Sequence, residues 1–144
     1  RKVMPEIDLS HRSNKKYLSI PKHQKNARND HSKWEKIDLE IETFNNGDNG
    51  SIDGTIKESW LCQTNLWGFS KNNDGVKIVG TEKQQFGFFE TPRNETDHWH
   101  GYPIIPFKSK EKKHDICKSL LNKWKDGEVL TSDEIANLVK GKLL

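Results

Sequence analysis

The residues best equipped for chemistry sit together in Asp97-His98-Trp99-His100-Gly101-Tyr102-Pro103, which runs on through Ile104-Ile105-Pro106-Phe107. In an extended segment His98 and His100 project to one face and Trp99 to the other. Three kinds of chemistry are open to that arrangement. As metal ligands the two imidazoles would chelate, but zinc takes three or four protein ligands. The nearest further donors, Asp97, His114 and Asp115, stand at no diagnostic spacing, so no metal and no cofactor is assigned. As acid–base groups, histidines titrating near neutral pH would shuttle protons in RNA cleavage or another hydrolysis. If the chain is an enzyme, this makes it a His-dependent ribonuclease or hydrolase, with His98 and His100 catalytic. As structural groups, the histidines would satisfy buried carbonyls while Trp99, Tyr102 and Phe107 pin an ordered loop and Gly101 and Pro103 set its turns. No motif in the chain decides among the three.

The charges point to a class of partner. Residues 1–33 hold nine Lys/Arg against three Asp/Glu, net +6. Residues 34–107 hold six against twelve, net −6, and residues 108–144 nine against six, net +3. A basic arm, an acidic middle and a mildly basic tail thus make up the overall +3. Lys15, Lys16, Lys22, Lys25 and Arg28 would meet the phosphates of a polyanion. The rival reading lays the arm across the acidic middle of its own chain or of a protein partner, a second copy included. The arm's histidines, His11, His23 and His31, are 12 and 8 apart. Neither interval is a helical metal clip or a finger spacing.

Aromatic residues add a second argument. Trp60, Trp67, Phe69, Phe86, Phe88 and Phe89 exceed what one small sheet face must bury, so some would be platforms on which bases stack. The alternative is that all are core.

The elements that must position these groups follow from periodicity. A length of 144 residues is that of one domain with one core. Its hydrophobic fraction of 31% is low for a globular chain, but five Trp and six Phe make an aromatic-rich core feasible and argue against full disorder. No run approaches the roughly twenty apolar residues of a membrane span. No basic-then-apolar leader opens the sequence, and Arg at position 1 reads as a fragment or processed product. Cys62 and Cys117, 55 positions apart, read as free thiols in a cytoplasmic protein, with one disulfide as the alternative. Two glycosylation tripeptides, Asn49-Gly50-Ser51 and Asn94-Glu95-Thr96, are discounted for want of a leader.

Residues 1–33 follow neither period. Val3, Met4, Ile7, Leu9, Tyr17, Leu18 and Ile20 are scattered, with Pro5 and Pro21 as breakers, and Leu18-Ser19-Ile20 suits a short edge strand. From Trp34 to Phe44, Ile37, Leu39 and Ile41 alternate with Asp38, Glu40 and Glu42, which predicts a half-buried strand with a solvated acidic face. Asn45-Asn46-Gly47-Asp48-Asn49-Gly50 predicts a long hairpin loop. Further strands are expected at Ile52–Trp60 with a bulge at Gly54, at Leu61–Phe69, at Val76–Val79 and at Gln84–Glu90, with turns at 71–75 and 80–83. Short strands with short turns favour an antiparallel meander.

The period then changes. Ile116, Cys117, Leu120, Leu121 and Trp124 form one face of a helix from about Glu111 to Lys125, which Gly127 would stop in the left-handed conformation. Thr131 to Glu134 is a capping box that opens a second helix, stopped by Gly141. Acids at the start of that helix argue against its reading DNA.

The sequence therefore predicts an α+β domain. A five-stranded antiparallel meander over 34–90, curled or forming a small open barrel, leads through an aromatic and histidine loop at 91–110 to a C-terminal helix pair at 111–144. An irregular basic arm, 1–33, precedes it. The function expected is that of a nucleic-acid-associated module for single-stranded nucleic acid or RNA, bound by the arm with Trp99 and Tyr102, with or without cleavage by His98 and His100. The alternative is a non-enzymatic interaction or assembly domain whose arm docks on an acidic partner surface.

Overall fold

A sheet that is apolar on both faces must be covered on both, and that requirement organises this chain. The computed structural model describes residues 6–10 and 15–144. Val3, Met4, Pro5 and His11 lie outside the described residues. The strands are β1 (Ile7–Asp8), β2 (Leu18–Ser19), β3 (Leu61–Cys62), β4 (Asn65–Gly68), β5 (Lys71–Asn72), β6 (Gly75–Val76), β7 (Phe86–Glu90) and β8 (His100–Ile104). The α-helices among the described residues are α1 (Ile37–Asn49), α2 (Lys118–Asp126) and α3 (Ser132–Val139). The main sheet is antiparallel in the order β3-β4-β7-β8, and β1-β2 and β5-β6 are separate two-stranded ribbons. The fold is thus mixed α+β with antiparallel sheets.

Alternation along β4 and β7 sends side chains into two different cores. Trp67, Phe86 and Phe88 join Trp60, Phe69, Leu120, Trp124 and Leu138 on the side of α2 and α3. Leu66 and Phe89 join Leu9, Tyr17, Trp34, Ile41 and Phe44 on the side of α1 and the N-terminal segment. The segment expected to be an irregular arm therefore contributes Leu9 and Tyr17 to a core.

The largest departure from expectation is the strand assigned to 34–44, which is helix α1. Ile37, Ile41 and Phe44 are spaced i, i+4, i+7, so the same residues satisfy a helical period, and Ile41 and Phe44 are the ones buried. The acidic face is not all solvated either, because Glu40 is 1% exposed. The Asn/Gly run is the end of this helix rather than a hairpin loop. A Cβ on Gly47 would meet the Trp67 carbonyl oxygen at 2.2 Å, and one on Gly68 the Thr43 carbonyl oxygen at 2.0 Å. The two glycines let α1 lie directly on β4. Gly50, at φ 72°, supplies the left-handed stop.

Other boundaries also move. Residues 52–60 form no strand; Ile56 is 73% exposed and Gly54 makes no bulge but a bend facing open space. The single strand expected over 61–69 is a hairpin, β3 and β4, whose turn places Gln63 at φ 60°. The strand expected at 76–79 shortens to β6, leaving Ile78 exposed. The main sheet therefore has four strands rather than five, and it is open, with β3 and β8 at its ends. The expected loop at 91–110 contains β8, paired along its whole length with β7 from Phe86↔Ile104 to Glu90↔His100.

At the C-terminal end, α2 starts at Lys118, after a 3₁₀ turn at Lys112–His114. Gly127 ends it at φ −81°, and the left-handed residue is Glu128 at φ 58°. The capping box forms as the spacing predicts. The Thr131 hydroxyl accepts from the Glu134 amide at 3.1 Å, and the Glu134 carboxylate accepts from the Thr131 amide at 2.9 Å.

Candidate functional site

β8 is an edge strand, and edges need cover. The N-terminal segment supplies it. The Trp99 amide donates to the Lys16 carbonyl at 2.7 Å, and the Leu18 amide donates to the Trp99 carbonyl at 2.8 Å, making a parallel bridge between Tyr17 and Trp99. Trp34 Nε1 donates to the Gly101 carbonyl at 3.2 Å. Pro103, which lacks an N–H, is tolerated because it lies on this outer strand.

Tyr102 is the hub of what the edge presents. Its hydroxyl lies 2.9 Å from Nε2 of His114, and the His23 ring stacks on it at 5.0 Å and 25°. His31 meets the edge of His23 at 5.4 Å. Burial pushes the Tyr102 phenol well above its ordinary pKa, with Glu90 and Glu111 adding to the effect, so it keeps its proton and donates to His114. His114 is itself held below the usual histidine range by burial, and its Nδ1 is buried without a hydrogen-bond partner among the described residues.

His23 is nearly inaccessible. Because a carbonyl only accepts, the 2.6 Å contact between His23 Nδ1 and the Ser32 oxygen places the proton on Nδ1. Burial pulls its pKa down to about 4; the Ser32 bond opposes this, while Lys22, His31 and His100 push the same way as burial. Those groups therefore lie near His23, whose ring stacks on Tyr102. His100 keeps part of its surface open to solvent, yet it too is lowered, first by the desolvation of its ring and then by Lys22, with Glu90 and Glu6 opposing. At neutral pH His23, His100 and His114 are uncharged proton acceptors.

His98 stands apart from this cluster. Its Nε2 lies 3.4 Å from the Asp8 carboxylate of β1, while His100 feels Glu6. The two histidines of the sequence motif thus face the acids of the N-terminal segment, two positions apart on each side. No group of three or more His, Cys, Asp or Glu side chains among the described residues is placed to hold a metal ion.

The five basic residues divide. Lys15 pairs with Asp48 and lies 6.0 Å from the centre of the Trp99 ring. Lys25 pairs with Glu35. Lys16, Lys22 and Arg28 are exposed. The stacking platforms expected among the earlier aromatics are not there: Trp60, Trp67, Phe69, Phe86, Phe88 and Phe89 are all at most 1% exposed, since both faces of the sheet are covered. Trp99 and Tyr102 are partly exposed, although Trp99 packs against the core of Tyr17 and Phe44.

Sequence reasoning missed His23 and His114 as partners of Tyr102, because only folding brings them together. It also missed Glu40. This side chain, in the first turns of α1, accepts from the Tyr17 hydroxyl at 2.5 Å and from the Ser19 hydroxyl at 2.7 Å. Burial raises its pKa to about 7 against the opposing effect of those two bonds. It lies beneath a cavity of about 140 Å³ shared with Gln24, Trp34, Lys36 and Ile37. Alternation read as a strand hid Glu40, because on a strand it would have shared a solvated face.

Comparison with protein families, curated proteins and solved structures finds no match to this chain. No helix among the described residues is long and apolar enough to cross a membrane.

Proposed function

We propose that the chain is a nucleic-acid-associated module that binds single-stranded nucleic acid, RNA in particular, along the covered β8 edge. The observation that carries this reading is the gathering of His31, His100 and Lys22 near His23, whose ring stacks on the partly exposed Tyr102. Lys22, with Lys16 and Arg28 from the same segment, supplies phosphate contacts, which dominate affinity for nucleic acid. Tyr102 and the exposed part of Trp99 offer rings to bases.

The same edge is equipped for cleavage. An uncharged His100 is suited to take the proton of a ribose 2′-hydroxyl, and His98, held by Asp8, lies two residues away on the same side of the chain. Lys15 and Lys25 serve the structure instead, through Asp48 and Glu35. Those internal pairs also weaken the rival idea of an arm free to dock on a partner.

Titration of a labelled single-stranded RNA tests the reading. Lys22→Ala and Arg28→Ala should each weaken binding and reduce its salt dependence, by roughly 0.7 in the log–log slope for each phosphate no longer neutralised. His98→Ala and His100→Ala should each abolish any strand cleavage at RNA concentrations that saturate the variant. Binding indifferent to Lys22 and Arg28 would refute the assignment.

A further inference from the structure

The chain has two cysteines, and the fold brings them together on the opposite side of the main sheet from α1. Cys62 closes β3 and is 8% exposed; Cys117 is the N-cap of α2 and is half-buried. The Cys117 amide donates to Cys62 Sγ at 3.1 Å, which brings Cys62 Sγ against the backbone of Cys117. The Ser119 hydroxyl lies 3.3 Å from Cys117 Sγ. Both residues are free thiols.

We propose that Cys117 and Cys62 form an oxidisable dithiol, in which a hydroperoxide reacts at Cys117 and Cys62 resolves the product to an intramolecular disulfide. Three features assign the roles. Cys117 is the more accessible of the two. It is the N-cap residue of α2, where the positive end of the helix dipole favours a thiolate. Cys62 is buried, at the end of a two-residue strand beside a turn.

The electrostatics agree. Burial alone would raise the Cys117 pKa, but the neighbouring Cys62 thiol and then the Ser119 hydroxyl outweigh it and bring the group below the ordinary thiol value. Burial, followed by the neighbouring Cys117 thiol, pushes Cys62 up to about 11. Of the two thiols, Cys117 is therefore the one whose thiolate is the more favoured.

The chemistry balances. The Cys117 thiolate attacks one peroxide oxygen, the O–O bond breaks, and the departing oxygen leaves with a proton as water or alcohol. Cys117 is then a sulfenic acid. The Cys62 sulfur attacks the Cys117 sulfur, the S–S bond forms as the S–O bond breaks, and the Cys62 proton leaves with the hydroxyl as a second water. The two thiols are oxidised by two electrons and the peroxide is reduced by two.

The test is hydrogen peroxide added to the reduced full chain, followed by intact mass and thiol titration. The wild-type chain should lose the mass of two hydrogens, both thiols should disappear together, and dithiothreitol should restore them. With dimedone present, Cys62→Ser and Cys62→Ala should each carry the adduct on Cys117, whereas Cys62 in Cys117→Ser should react about tenfold more slowly or less. Using both Cys62 substitutions guards against one of them disturbing the core. Oxygen added without loss of the two thiols, a disulfide linking two chains, or Cys62 reacting as fast as Cys117 would overturn the assignment.

Discussion

The Tyr102 hydroxyl lies 2.9 Å from Nε2 of His114, whose other ring nitrogen, Nδ1, is buried without a hydrogen-bond partner among the described residues. This bond ties β8 to the turn that leads into α2. Tyr102→Phe should therefore lower stability by about 1–3 kcal/mol, because it strands a buried polar atom rather than merely deleting an interaction. A urea midpoint shift with an unchanged slope is the expected readout. An unchanged midpoint would mean that the pair contributes nothing.

Glu40 makes the stability of the protein depend on pH in a definite direction. Its folded pKa of about 7 lies above the ordinary 4.5, so the folded state binds the proton more tightly than the unfolded state. The stabilisation is fully present below about pH 4.5, is lost as pH rises through 7, and does not change further well above it. The span corresponds to about 3 kcal/mol. His23 works in the opposite sense, its contribution being lost as pH falls from 6.5 to about 4. The comparison must therefore be the difference between wild type and Glu40→Gln. The variant should gain on wild type as pH rises from about 5 to about 7.5, and parallel profiles would contradict the assignment.

Gly47→Ala separates two ways of understanding the middle of the chain. By helix propensity alone, alanine should stabilise α1 by up to about 1 kcal/mol. The Trp67 carbonyl oxygen, which the new Cβ would meet at 2.2 Å, reverses the sign. A net loss of about 1–3 kcal/mol is expected from overpacking, read as a lower urea midpoint. A stabilised variant would show that α1 does not lie so closely on β4.

That glycine also explains what could and could not be read from the sequence. Thr131 and Glu134 announce α3 by their own side chains, and Phe86, Phe88 and Phe89 announce β7 as a short aromatic run after a turn, because in both cases the signal is local. Ile37, Leu39 and Ile41 fit a strand, while Ile37, Ile41 and Phe44 fit a helix, and only packing on Gly68 decides between them. The Asn45–Gly50 run looks like a turn because close helix–sheet approach selects glycine just as a turn does. At the candidate site, the density of histidine and aromatic residues from His98 to Tyr102 is legible in the sequence. The contributions of His23 and His114 are not, since neither is near Tyr102 along the chain. The six aromatics in and beside the sheet resemble stacking platforms in the sequence because nothing local in it reveals that both sheet faces are covered.

The capping box should behave as a local device with one long-range tie. Thr131→Ala removes one cap bond and should cost about 1 kcal/mol. Glu134→Ala should cost more, because the Glu134 carboxylate also meets Lys71 Nζ at 3.1 Å and so joins α3 to the β5-β6 ribbon. Equal losses in thermal or urea unfolding would mean that the Lys71 pair adds nothing.

The proposed function stands or falls with the surface around Tyr102, Lys22 and His100 meeting single-stranded nucleic acid. Fluorescence anisotropy of a labelled single-stranded RNA, titrated with the full chain at two salt concentrations, is the decisive measurement. Binding should weaken steeply as salt rises, and Lys22→Ala should impair it further. Absence of binding at low salt, or binding unaffected by both salt and Lys22→Ala, would overturn the assignment of this surface.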